Sequence, residues 1–121
     1  MGERVTWSRE DIIVAYALYC ITPLNDMRPS NKLIQQVADG FSHSVSSLVM
    51  RMKNFAAIDP NSKVKGATHA AKADRLIFDE FKNDWGTLSV QAESLTGLAL
   101  FDANPINGAK PLSSLTDKNR V

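Results

Sequence analysis

Apolar side chains at Val45, Leu48, Val49, Met52 and Phe55 repeat with the 3.6-residue period of a helix. This run, residues 44–55, limits the fold more than any other stretch. Ser44 stands where a helix N-cap belongs. The opposite face carries His43, Ser46, Ser47, Met50, Arg51, Lys53 and Asn54, with no acid among them. Such a face suits a phosphate backbone with base edges behind it.

The same period recurs on both sides of this run. "TWSRED" opens a first helix, with Ser8 as N-cap and Asp11 completing a capping box; Ile12, Ala15, Tyr16 and Tyr19 follow on one face and Pro23 ends it. Residues 23–31 form a loop in which Arg28-Pro29 forces extended backbone. Ser30 is the expected cap of a short helix over 31–39, with Leu33, Ile34, Val37 and Ala38 inward. Gly40 is expected to end it in the left-handed conformation, and Phe41 to anchor the turn. Helix, glycine-containing turn, helix is the outline of a helix-turn-helix, whose second helix enters the major groove.

Residues 56–72 read as a loop, with Lys63, Lys65, His69 and Lys72 along it as a basic arm or a merely solvated segment. A further helix is expected from about Ala73, with Leu76, Ile77, Phe81 and Trp85 on its apolar face. Another is expected after Gly86, with Leu88, Ala92, Leu95, Leu98 and Leu100. Prolines and asparagines from 101 onward give residues 101–121 the look of a linker or loosely packed tail, behind a helical domain at 1–100. The fold class expected is therefore all-α, a compact bundle of about five helices containing a helix-turn-helix.

Composition narrows the function classes. Apolar residues make up 44% and charged residues 22%, as in a soluble globular domain. No apolar run reaches membrane-spanning length. Cys20 is the single cysteine, so no internal disulfide forms; a reducing, cytoplasmic setting and a buried packing role are expected. The net charge of +1 conceals segregation. Residues 27–72 hold Arg28, Lys32, Arg51, Lys53, Lys63, Lys65 and Lys72 against Asp39 and Asp59, a net +5. A basic middle is the footprint of an anionic partner.

Catalytic signals are weak. "DEFK" at 79–82 has the acid-x-lysine form of some metal-dependent nucleases, but it falls in a helical pattern. There is no phosphate-binding glycine loop and no nucleophile elbow. His43 has no carboxylate neighbour in sequence, and reads either as a phosphate or base contact or as a packing residue at a helix start. Trp7 and Trp85 read as core anchors. No enzyme, metal or cofactor is expected.

Three stretches, "TWSREDIIVAYALY", "SHSVSSLVMRMKNFAAIDP" and "KGATHAAKADRLIFDEFKNDW", resemble the small helical domain at the N-terminus of HNH-type restriction endonucleases. They also resemble the DNA sulfur-binding domains of modification-dependent (type IV) restriction enzymes. The likeness spans roughly residues 5–95. It implies a recognition module for phosphorothioate-modified double-stranded DNA, with any nuclease in a separate HNH domain. Arg51 falls on the basic position of the recognition helix, while Asn54-Phe55 and Asp59-Pro60 fall on a structural terminating motif. His43 stands where the family usually has arginine. Sulfur in place of a phosphate oxygen is large, soft and a poor hydrogen-bond acceptor, so its pocket needs apolar walls beside cations. Arg28, Pro29, His43 and Ser44 are the pocket residues this implies, with Ser30, Ser46, Ser47, Met50, Arg51, Lys53 and the 63–72 arm as further DNA contacts. A Myb-like helix-turn-helix domain reading unmodified DNA and a protein-interaction module remain alternatives.

Overall fold

The computed structural model describes residues 6–60, 62 and 72–110. These form five α-helices: α1 (Arg9–Ile21), α2 (Lys32–Asp39), α3 (Val45–Ile58), α4 (Lys72–Phe81) and α5 (Trp85–Thr96). Single 3₁₀ turns at Leu24–Asp26 and Ala99–Asp102 complete the order. Among the described residues there is no strand. The described residues form an all-helical bundle, as the periodicities lead one to expect.

Helix α1 is the axis. Every residue from Ile12 to Cys20 is buried, the signature of a helix surrounded by others. It packs against α3, α4 and α5, while α2 packs on α3. The Ser8 hydroxyl accepts the Asp11 N–H and Asp11 accepts the Ser8 N–H, closing the expected capping box. Tyr16 lies at the centre, its ring 4.7 Å from Phe55 and 5.7 Å from Phe78. At the surface, Arg9 makes a two-pronged pair with Glu80, joining α1 to α4.

Several boundaries depart from expectation. Asn31, not Ser30, caps α2, its side-chain oxygen accepting the Ile34 N–H. Gly40 has φ −106°, so α2 ends without a left-handed residue; that conformation belongs to Gly97, which caps α5 at φ +74°. Helix α3 continues to Ile58, three residues past Phe55. Leu76 is exposed and Phe78 takes its place in the core. Trp85 begins α5 rather than ending α4, because Asp84 accepts the Thr87 N–H as an N-cap.

The stretch from 101 to 110 is not loose. Phe101 and Ala109 are buried, and the Trp85 indole donates to the Ala103 carbonyl. Asn107 donates to the carbonyls of Tyr19 and Thr22, satisfying the open end of α1. Gly108, at φ +70°, brings its backbone against Tyr16, Tyr19 and Cys20. Residues 111–121 lie outside the described part.

Candidate nucleic-acid interface

Helix α3 starts because Ser44 caps it: the Ser44 hydroxyl accepts the Ser47 N–H at 3.1 Å. Its buried face is Leu48, Val49, Met52, Phe55 and Ala56. The outer face presents Ser46, Ser47, Met50 and Lys53, all exposed. Spacings of three and four residues place Ser46, Met50 and Lys53 in one stripe along the helix, with Ser47 beside it.

The other polar residues of α3 turn inward. The Arg51 guanidinium lies 2.5 Å from Asp74 Oδ1, with side-chain exposure of 16% for Arg51 and none for Asp74. Asn54 donates to the second oxygen of the same carboxylate. Arg51 also lies over Trp7, 4.4 Å from the ring centroid. The structure thus places the guanidinium expected at a phosphate against a buried acid and an aromatic ring. Lys53 is thus the exposed cation of α3.

Of the two readings of His43, the structure matches the packing residue at a helix start. Its ring stacks on Trp7 with centroids 3.8 Å apart and planes 9° from parallel, and Phe41 meets it edge-on. Nε2 lies 3.1 Å from Asp11 Oδ2. A carboxylate only accepts, so Nε2 donates. At 7% exposure His43 packs the joint before α3 and does not line an open pocket. Ser44, the other inner member of the expected sulfur pocket, is exposed but spends its hydroxyl on the helix cap.

Arg28, Pro29 and Ser30 are all exposed on the turn leading into α2. The Arg28 Nε donates to the Asn25 carbonyl, and the Pro29 carbonyl accepts from Gln35. Lys32 is exposed at the start of α2 and Lys72 at the start of α4. Lys63, Lys65 and His69 lie outside the described residues.

Asp11, Asp74 and Trp7 organise this region and escape local reading, since each acts across many residues of sequence. One signal was available. A helix with Arg51 and Asn54 on adjacent positions of one face, and no acid of its own, requires a partner from elsewhere.

Chemistry beyond this face is sparse. A cavity of about 300 Å³ lies between Asp59, Ser62 and the 105–110 segment, where the Tyr19 hydroxyl donates to Asp59 at 2.6 Å. Among the described residues, none of those expected to touch DNA lines it. Cys20 is buried, and burial pushes its thiol up to about 12. Among the described residues, no group of His, Cys, Asp and Glu side chains could hold a metal ion and no helix is long and apolar enough to cross a membrane. "DEFK" lies at the end of α4, its Glu80 paired with Arg9 and its Asp79 with Lys82. Comparison with protein-family models, curated proteins and solved structures finds no match to this chain.

Proposed function

We propose that this chain is a double-stranded-DNA-binding module in which α2 and α3 act as a helix-turn-helix and the outer stripe of α3 enters the major groove. The observation that carries the reading is an exposed face of Ser46, Ser47, Met50 and Lys53 containing no acid. Hydroxyls and an ammonium meet phosphates and base edges without repulsion. Arg28 and Lys32, ahead of and on α2, add phosphate contacts. In this reading the module serves a restriction system and the nuclease is a separate HNH domain, as the motifs imply.

Binding falls steeply with salt, because each phosphate neutralised releases counterions. Anisotropy titration of a labelled duplex over a salt series tests this. Lys53→Glu is expected to weaken binding by an order of magnitude or more at low salt and to flatten the salt dependence. Unchanged binding would remove α3 from the interface.

Selection of phosphorothioate linkages is a second reading, favoured by the exposed Arg28-Pro29-Ser30 turn. It pairs an apolar ring with a cation and a hydroxyl. With His43 inside the core, this turn is the site for such a preference. Two duplexes of one sequence, differing in a single phosphorothioate, separate the readings. A large gap that Pro29→Ala erases supports sulfur selection, and equal binding leaves a module for unmodified DNA.

A further inference from the structure

Resting on the DNA-binding reading, we infer that the α3 face selects the C5-methyl group of pyrimidines, through Met50, over the hydrogen-bonding edges of purines. Base edges in the major groove are read chiefly by Arg or Lys on guanine, by Asn or Gln on adenine, and by apolar groups on the thymine methyl. Helix α3 carries one arginine and one asparagine near its outer face. Both are held by the Asp74 carboxylate, Arg51 at 2.5 Å and Asn54 at 3.2 Å. Neither is available as a two-pronged reader while that arrangement stands.

What remains on the stripe is different in kind. Met50 is 61% exposed. Ser46 lies one turn before it and Lys53 one turn after, so the thioether is the apolar centre of a polar strip. A single exposed methionine needs no explanation by itself. Here it is the centre of the stripe that the proposed docking turns toward the groove, and the neighbouring Arg51 and Asn54 are both held by Asp74. Lys53 is a mobile point charge suited to phosphate, and the serine hydroxyls accept either base. The flexible, polarisable Met50 side chain packs against a methyl group and gains nothing against an unmethylated cytosine.

The test uses the full chain and two pairs of short duplexes in low salt. One pair is alternating A·T, built with thymine or with deoxyuridine. The other is alternating G·C, built with cytosine or with 5-methylcytosine. In each pair the strands keep their pairing and differ only by the methyl. The expected result is about fourfold tighter binding to the methylated member, the worth of one small apolar group removed from water. Met50→Ala, a surface change that leaves the core untouched, is expected to bind both members equally. Equal binding by the unaltered chain overturns methyl selection while leaving DNA binding standing. A gap that survives Met50→Ala overturns it too, by assigning the difference to duplex geometry. Failure to bind any of the four duplexes overturns the DNA-binding reading itself, and this inference with it.

Discussion

His43 lies flat on Trp7, 3.8 Å between ring centroids, while its Nε2 bonds Asp11 in the capping box of α1. The residue that precedes the cap of α3 is thereby fixed to the start of α1. His43→Ala is expected to cost about 1–3 kcal/mol, from the lost hydrogen bond and ring contact. Urea denaturation gives the value. If the chain reads DNA as proposed, methyl discrimination by the remaining folded protein is expected to persist, since His43 is buried and lies off the outer stripe of α3.

Asp74 and Arg51 form the region's most consequential pair. Asp74→Ala leaves a guanidinium with little solvent beside an aromatic ring, and removes the acceptor of Asn54 as well. The expected loss is about 3–5 kcal/mol, the usual cost of removing one partner of a buried pair. The double change Arg51→Met, Asp74→Leu is expected to cost less than Asp74→Ala alone. A double-mutant cycle by urea denaturation measures the difference.

These two pairs mark where sequence reading stops. The Ser8–Asp11 box and the Ser44 cap were legible because each is closed within three residues. The buried stripe of α3 was legible from its period. Arg51–Asp74 and His43–Asp11 join residues 23 and 32 positions apart, so composition could show a basic face but not which cations are spent inside. The packing of 101–110 was hidden for a related reason. Pro105 and the asparagines of this stretch carry a turn signature, and Asn107 uses that local freedom to close the end of α1.

Glycine substitutions separate conformational need from open space. At Gly108 a Cβ would stand 3.1 Å from Tyr19 and 3.2 Å from both Cys20 and the Tyr16 hydroxyl, at φ +70°. Gly108→Ala is expected to destabilise by more than about 1 kcal/mol. At Gly86, inside α5, the added Cβ meets only Asp84 at 3.8 Å. Gly86→Ala is expected to stabilise by roughly 0.5–1 kcal/mol. Thermal melts of the two variants check both signs.

Alkaline pH is expected to weaken the fold. Burial raises the Cys20 thiol from its ordinary 9.0 to about 12 and raises the Tyr16 and Tyr19 phenols as well. Above pH 9.0 the unfolded chain loses the thiol proton that the folded chain keeps. The stabilisation from the protonated thiol is therefore complete below pH 9.0 and is lost as pH rises toward about 12. Urea midpoints on either side of pH 9 should fall with rising pH. Thiol reagents should stay unreactive with the folded protein and react once urea unfolds it.

The most direct measurement is amide chemical-shift mapping of the full chain as a short duplex is added at low salt. The expected result is a contiguous set of shifts at Ser46, Ser47, Met50 and Lys53, continuing to Arg28 and Lys32, and fading as salt is raised. Absence of shifts, or shifts confined to α5 and the 99–102 turn, would contradict the assignment of α3 as the DNA-reading helix.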